Sequence, residues 1–198
     1  MALLPAVPAE LTAAVARLQA LPLTLVLVVV GHPVDTPIQR VYSAESAYPA
    51  HKTALNHNSS PYLQTLPQHA IVAEVSSLPE KRLPAQGLER TVVQHLTTLG
   101  LISAPAAVRA TDVVSVPYGY PVPTHDRDAI VAKLKAWLSA RGIYSVGRFG
   151  EWAYINADEA LHRGLTLGRT LADTGRESPS QLHGRVPEEQ QPTLRRAA

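Results

Sequence analysis

Residues 21–31 have the sequence LPLTLVLVVVG, the most apolar run in the chain. The run is far shorter than the roughly 20 residues that a membrane-spanning helix needs, and much of it is valine, which favours strands. Residues 23–30 are therefore predicted to form a buried β-strand. His32 and Pro33 follow the run and are predicted to end the strand.

The segments around this strand predict a mixture of helices and further strands. Four stretches carry apolar residues at helical spacing and are predicted to be helices: 9–20, 84–100, 126–141 and 157–172. Four others are predicted to be strands: 39–43, 70–76, 108–117 and 143–145. Because helices separate the strands only in part, the predicted fold class is α+β, with a mixed, largely antiparallel sheet and helices packed on one face. The open face of the sheet would carry a ligand.

Two stretches have neither a helical nor a strand period. Residues 46–68 (SAYPAHKTALNHNSSPYLQTLPQ) are polar and contain several prolines, which predicts a long loop that walls a pocket. From residue 173 onward the chain is polar and nearly without large apolar residues, so burial cannot offset its ordering entropy. The predicted organisation is one domain over residues 1–172 and a disordered C-terminal tail over 173–198.

The composition excludes several classes of function. Lys and Arg number 18 against 16 Asp and Glu, and a net charge of +2 with a pI of about 9.0 gives no basic stripe for nucleic acid. The absence of cysteine excludes disulfides, thiolate catalysis and cysteine-ligated metal sites. The N-terminus, MALLPAVPAEL, has no pattern of an export signal. We therefore expect a cytoplasmic protein that contacts no membrane and binds no metal.

Polar residues within two apolar or loop segments are candidates for chemistry. Glu74 lies inside the strand predicted at 70–76, either as a pocket carboxylate with a raised pKa or as the partner of a buried basic group. His51, Lys52, His57 and Asn58 lie in the predicted long loop. Either histidine could move protons near neutral pH, but no acidic partner follows at a useful spacing, which favours exposed loop residues instead.

Arg148 lies in a glycine-flanked segment, after Gly147 and before Phe149 and Gly150. A guanidinium in this setting could bind an anionic ligand through its bidentate fork. The alternative is a surface arginine whose stem packs on Trp152 or Phe149.

Two pairs of aromatic residues at i, i+2 spacing, Tyr118 with Tyr120 and Trp152 with Tyr154, would each point to one face of an extended chain. Together they could wall an apolar pocket with polar edges, or they could be core and rim packing. His95 is predicted to lie at the polar edge of the face of its helix.

The stretch PYGYPVPTHDRDAIVAKLKAWLSARGIYSVGRFGEWAY, residues 117–154, resembles the C-terminal region of flavin-dependent amine-oxidoreductase-like proteins of the UDP-galactopyranose mutase and protoporphyrinogen-oxidase-like type. Four residues match that pattern position by position: Gly147, Arg148, Trp152 and Tyr154. Residues 3–30 resemble the helix and strand that begin the substrate domain of such proteins, and residues 51–63 resemble a polar loop of that domain. The resemblance therefore covers most of residues 3–172.

Such proteins also have a strand, a glycine-rich turn and a helix that bind the ADP portion of the flavin, whereas no GxGxxG occurs in this chain. Where the last helix begins, they commonly carry a Met-Asp sequence beside the flavin. This chain has Ile155-Asn156-Ala157-Asp158, which keeps the Asp and not the Met.

The resemblance implies a small-molecule-binding substrate domain derived from an FAD-dependent oxidoreductase and acting in a biosynthetic pathway. By itself it would bind no cofactor, and FAD would come through a separate Rossmann-domain partner chain. From the residue patterns and the resemblance together, the candidate site residues are Arg148 and Glu74 for catalysis, Tyr118, Tyr120, Trp152, Tyr154, His51, Lys52, His57 and Asn58 for substrate, and Asn156 and Asp158 for flavin contact where such a partner exists.

Two other functions stay open from the sequence. One is a stand-alone, cofactor-independent cyclase or isomerase of specialised metabolism, and the other is a non-catalytic accessory or truncated protein. The absence of a nucleotide domain would leave an apolar patch around Leu3, Leu4 and the helix at 157–171, which would favour a homodimer or a partner chain.

Overall fold

The computed structural model describes residues 7–45, 47–77 and 87–173, and the chain falls into two units. The sheet unit comprises Ala20–Tyr120. The helical unit comprises Met1–Gln19 together with Pro121–Ala198. Each unit is described by itself below.

Helices and strands alternate irregularly along the chain. In order they are α1 (Ala9–Val15), β1 (Ala20–Val30), β2 (Arg40–Tyr42), β3 (Lys52–Leu55), α2 (Pro61–Gln64), β4 (His69–Ser76), α3 (Leu88–Thr98), β5 (Val108–Pro121), α4 (Arg127–Ser139) and α5 (Ala157–Asp173). Short 3₁₀ helices at Asn56–Ser59 and Pro105–Ala107 precede α2 and β5. The predicted α+β class is confirmed.

The sheet has five strands in the order β2-β3-β4-β1-β5. The pairs β2–β3, β3–β4 and β4–β1 are antiparallel. β5 also runs antiparallel to β1, because Gly119 near its end lies against Leu23, while Gly31 after β1 donates to the carbonyl of Ala107 before β5. The most apolar run of the sequence therefore lies in an interior strand that pairs on both sides, and the strand predicted at 23–30 lies within β1.

One face of the sheet carries the core of this unit. Alternate residues of β1 (Val26, Val28, Val30) and of β4 (Ile71, Ala73, Val75) are buried, and they belong to one cluster with Val92 and Leu96 of α3. Alternate side chains of the strands and the side chains at helical spacing along α3 therefore pack together on this face. The opposite face carries the intervening residues of each strand, among them Glu74.

In the helical unit, α1 packs on α4 with Leu11 buried. Exposed ion pairs join the two helices and their flanks: Lys133 lies 3.6 Å from Glu10, and Arg17 lies 3.3 Å from Asp126. α4 ends at Ser139 and is followed by a left-handed Gly142, and Ile143 N donates to Leu138 O at 3.1 Å. The strand predicted at 143–145 is wrong, because these residues complete the C-terminal cap of the helix.

Several other predicted boundaries are wrong. α1 stops at Val15 rather than at residue 20, because the chain joins β1 at Ala20. The loop predicted at 46–68 contains β3, which gains its strand structure by pairing with β2 and β4 on its two sides. β5 extends past residue 117 to Pro121, so that Tyr118 and Tyr120 lie within a strand.

Two predictions reach the limits of the described residues. The start of the helix predicted at 84–100 lies partly outside them, and α3 begins at Leu88 after a left-handed Gly87. Asp173 belongs to α5 rather than to a tail, and residues 174–198 of the predicted tail lie outside the described residues. Within the described ranges, no helix has both the length and the apolar character needed to cross a bilayer.

Candidate functional site

The polar cluster of the sheet unit surrounds Glu74 on β4. Lys52, the cross-strand neighbour of Glu74 on β3, donates from Nζ to Glu74 Oε1 at 2.7 Å. Tyr120 on β5 donates its hydroxyl to Glu74 Oε2, also at 2.7 Å. His51 Nε2 lies 4.0 Å from the same oxygen, and His51 Nδ1 lies 3.3 Å from Ser76 Oγ. The fold therefore brings together four predicted site residues that come from three segments of the sequence.

The Glu74 carboxylate is held in its charged form. Burial alone would raise the pKa of Glu74, but hydrogen bonds from Lys52 and Tyr120, together with the charge on Lys52, lower it below its ordinary value of 4.5. Only 13% of the Glu74 side chain is exposed. Of the two alternatives for Glu74, the structure shows the partner of a basic group rather than a carboxylate with a raised pKa.

His51 adds a titratable group to this cluster. Burial lowers the pKa of His51, with a smaller lowering from Lys52, while the charge of Glu74 opposes both. The His51 ring also meets the Tyr120 ring edge to face, with centroids 6.3 Å apart. A neutral imidazole next to a phenol and a carboxylate is equipped to accept or pass a proton near neutral pH.

Two further tyrosines extend the polar face of the sheet. Tyr118 shares the face of Tyr120 by strand alternation and is 63% exposed. Tyr42 of β2 lies directly opposite Lys52 and is 73% exposed. Sequence reasoning missed Tyr42, since only the β2–β3 register shows that it neighbours Lys52. Tyr42, Lys52, Glu74, Tyr118 and Tyr120 thus define a polar sheet face with hydroxyl groups on both sides of an ion pair.

His57 and Asn58 have other surroundings. His57 is only 3% exposed and stacks on His69, with ring centroids 3.9 Å apart, so the expectation of an exposed loop residue is wrong. His69 Nδ1 accepts from Val34 N at 3.0 Å. Asn58 Nδ2 donates to the carbonyls of Thr36 and Ile38 at 2.6 and 2.7 Å. These contacts stabilise the chain between β1 and β2.

His95 is also more buried than its sequence suggested. It is 2% exposed and stacks on Tyr48 with a centroid distance of 3.9 Å, so its predicted place at the polar edge of the helix is wrong. Burial lowers the pKa of His95, while Glu45 acts in the opposite direction.

Arg148 belongs to the helical unit, in the segment that joins α4 to α5. Its Nε donates to Ile155 O at 2.8 Å, and its guanidinium lies 5.2 Å from the centre of the Tyr154 ring. Phe149 and Trp152 instead contact each other, edge to face at 5.9 Å. The cation–π partner of Arg148 is therefore Tyr154.

Trp152 and Tyr154 do not form the extended pair that their spacing suggested. Trp152 has a left-handed backbone with φ of 49°, and its indole nitrogen donates to Gln19 O at 3.0 Å. Tyr154 is 67% exposed. The chain turns at Trp152, so the i, i+2 rule for strands does not apply there.

Asn156 and Asp158 lie at the start of α5, and both are exposed. The Asn156 carbonyl accepts the first-turn hydrogen bond from Ala160 N at 3.0 Å. Across the described ranges, no group of three or more His, Asp or Glu side chains is placed to hold a metal ion.

Comparison with known proteins shows likeness in structure and not in sequence. No protein-family profile matches the chain, and no curated protein matches it. A reduced UDP-galactopyranose mutase superposes with a TM-score of 0.74 at 21% identity over 87% of this chain. The chain shares the fold of the matched part of that structure. A putative protoporphyrinogen oxidase from Exiguobacterium sp. 255-15 superposes with a TM-score of 0.54 at 14% identity over 69% of this chain.

The superposed region is only part of either neighbour. The chain spans 38% of the length of the mutase and 31% of the length of the oxidase. The residues present do not fit the ADP portion of FAD, because the sheet is antiparallel and the sequence has no GxGxxG turn between a parallel strand and a helix.

Proposed function

We propose that this chain is the substrate-binding part of a flavin-dependent oxidoreductase-like enzyme of a biosynthetic pathway, and that a separate flavin-binding chain supplies any redox chemistry. One observation carries the proposal: the fold match includes 87% of this chain but 38% of the mutase. The chain is thus comparable to a portion of that enzyme. The polar sheet face supports the proposal further, because it groups a cation, a carboxylate and phenol hydroxyls.

The chemistry of this face suits a ligand that is both anionic and rich in hydroxyl groups. Lys52 offers a positive charge, and the exposed hydroxyls of Tyr42 and Tyr118 can donate to or accept from sugar hydroxyls. Glu74 orients Lys52 and Tyr120 through its two oxygens. Within the helical unit, Arg148 is a separate candidate for binding an anionic group, through its guanidinium. UDP-galactopyranose, the nucleotide sugar in the name of the mutase, is both anionic and rich in hydroxyl groups, and it is the first ligand to test.

Binding to the purified 198-residue chain tests the proposed substrate role. We expect isothermal titration to detect UDP-galactopyranose, and we expect Tyr118→Ala and Lys52→Met each to weaken binding at least tenfold. Tyr62→Ala is the matched control, because Tyr62 is 71% exposed on α2, away from the strands. No binding by the wild-type chain, or equal loss in all three variants, would refute a ligand site on this face.

An absorption spectrum tests the cofactor role. The chain purified alone should be colourless, and co-expression with flavin-binding products of neighbouring genes should give a yellow complex. A stable yellow chain with stoichiometric flavin would overturn the proposal. A colourless chain that converts a pathway intermediate by itself would favour a cofactor-independent cyclase or isomerase, and a chain that binds neither ligand nor partner would favour an accessory protein.

A further inference from the structure

Glu151 is a buried carboxylate that sequence analysis did not single out. Only 8% of the residue is exposed, and it lies in the segment between α4 and α5. Lys135 of α4 donates from Nζ to Glu151 Oε1 at 3.0 Å, and Arg163 of α5 donates from Nη1 to Oε2 at 3.2 Å. One carboxylate therefore joins two helices through two cations.

The same residue closes a small loop around Arg148. Gly147 N donates to Glu151 Oε2 at 3.3 Å, and Glu151 N donates to Gly147 O at 2.9 Å. The Glu151 carboxylate thus binds the amide of Gly147, and the Glu151 amide binds the carbonyl of Gly147. The intervening residues 148–150 form a closed turn. A Cβ at Gly150 would collide with the backbone of Val146, so the turn has no room to relax there.

Further hydrogen bonds connect this closed turn to the residues around the Arg148 side chain. Ala153 N donates to Arg148 O at 2.8 Å, and Arg148 Nε donates to Ile155 O at 2.8 Å. Arg127 of α4 donates to the carbonyls of Glu151 and Trp152 at 2.5 and 2.8 Å. Hydrogen bonds therefore fix the backbone on both sides of Arg148, and those to Gly147 are made by Glu151.

We infer that Glu151 is a positioning residue, whose ionised carboxylate holds Gly147 and so sets the direction of the Arg148 guanidinium toward an anionic ligand. This inference rests on the proposed function, in which Arg148 is a candidate for binding an anionic group. The charged groups that face the carboxylate are Lys135 from α4 and Arg163 from α5, and Glu159 shares Arg163 at 2.6 Å.

The electrostatic surroundings support an ionised Glu151. Burial alone would raise the pKa of Glu151, but the hydrogen bonds and charges of Lys135 and Arg163 lower it below 4.5. The network is thus complete at neutral pH and opens as the pH falls through the lowered pKa.

The first test needs no ligand. In ¹H–¹⁵N NMR spectra at neutral pH, Glu151→Gln should shift both the Gly147 amide and the Arg148 Nε signals. Glu159→Gln is the matched control, since Glu159 also binds Arg163 but lies on α5, outside the Gly147–Glu151 turn. Equal shifts in the two variants, or an unchanged Arg148 Nε signal in Glu151→Gln, would overturn the inference.

A second measurement uses the wild-type chain, so it tests the inference even if Glu151→Gln does not fold. In the wild-type chain, the Gly147 amide and Arg148 Nε signals should move together, with one midpoint below pH 4.5, as Glu151 takes up a proton. Signals that stay fixed until the chain unfolds would contradict a positioning role.

A binding probe separates this inference from the proposed function. Inorganic pyrophosphate, followed by the Arg148 Nε signal, should bind at least fivefold more weakly to Glu151→Gln than to wild type and within twofold of wild type to Glu159→Gln. Arg148→Lys should weaken binding as much as Glu151→Gln. If Arg148→Lys has no effect on pyrophosphate binding while Glu151→Gln still shifts the Arg148 signal, the ligand role of Arg148 fails and only the structural coupling survives. If neither signal shift nor loss of affinity follows Glu151→Gln, the inference itself fails.

Discussion

Lys52 Nζ and Glu74 Oε1 lie 2.7 Å apart across β3 and β4, at directly opposed positions of the antiparallel pair. Their side chains are 24% and 13% exposed. Tyr120 occupies the second oxygen of the carboxylate, so the pair is part of a larger hydrogen-bonded group. Replacing one member of such a group lowers the free energy of unfolding by more than the intact group contributes to it. The reason is that the remaining partner stays partly buried without its counterpart.

We expect Glu74→Gln to lower the free energy of unfolding by about 1–3 kcal/mol, because Lys52 then keeps a charge in a partly buried position without a carboxylate. Urea denaturation followed by circular dichroism measures the change. The double variant Lys52→Met with Glu74→Gln should recover part of the loss. A double variant that loses the sum of the two single effects would show that the ion pair is not coupled.

The lowered pKa of Glu74 predicts a stability change in acid. The folded chain binds fewer protons than the unfolded chain between the lowered pKa and 4.5, so the stabilisation is fully present above pH 4.5 and disappears as the pH falls through the folded value. Unfolding free energy measured from pH 6 to pH 3 should fall less steeply in Glu74→Gln than in wild type. Identical slopes would exclude Glu74 as a source of the acid dependence.

His95 predicts a separate dependence at higher pH. Because burial lowers the pKa of His95, the folded state resists its protonation, so stability is present above pH 6.5 and declines as the pH falls below that value. His95→Phe keeps a ring to stack on Tyr48 and should flatten the stability curve between pH 6.5 and 5. His162→Phe, at an exposed position of α5, is the control and should leave the slope as it is. Thermal melts across this range measure both.

Two glycines should respond to alanine in opposite directions. Gly147 has φ of +90°, where a side chain is strained, and Gly147→Ala should destabilise the chain by about 1–2 kcal/mol. Gly164 lies inside α5, where an added Cβ meets nothing within 4 Å, and Gly164→Ala should stabilise by about 0.5–1 kcal/mol. Chemical denaturation of the two variants side by side tests the difference in sign, and two changes of the same sign would contradict the backbone assignment.

The apolar side of α5 should tolerate charge. Leu161 is 64% and Leu165 is 51% exposed, and no residue of α5 is buried. Leu161→Glu and Leu165→Glu should each change the unfolding free energy by no more than about 0.5 kcal/mol, while lowering any self-association seen by sedimentation. Val93→Glu in α3, where the residue is 8% exposed, is the buried counterpart and should unfold the chain. A large loss of stability in the α5 variants would show that the helix face is covered. The other part of the predicted apolar patch, Leu3 and Leu4, lies outside the described residues.

The elements that the sequence predicted well have strong internal periods. β1 and β4 are bounded close to the predicted positions, and so are α4 and α5. Their apolar residues alone specify which face is buried, and this depends only on neighbours in the chain. The sequence of β3, KTAL, has no apolar period of this kind. It forms a strand because it pairs with β2 and β4 on its two sides.

The sequence indicated individual residues of the candidate site but not the contacts between them. Glu74 stood out as a charge in an apolar strand, and Lys52 and Tyr120 stood out for their own reasons. Their mutual contacts depend on strand register and on side-chain reach across the sheet, which no local spacing encodes. Glu151 had no local signal, since its burial follows from Lys135 and Arg163 on two different helices.

The sequence by itself determined the α+β class, a buried strand over residues 23–30 and the lack of a glycine-rich nucleotide turn, because each follows from the order of neighbouring residues. Only the tertiary structure decided that residues 52–55 form a strand, that Lys52, Glu74 and Tyr120 share one ion-paired group, and that His57, His95 and Glu151 are buried. Hydrophobic periodicity acts within a segment, whereas hydrogen bonding and ion pairing between segments depend on which strands and helices become neighbours in the folded chain.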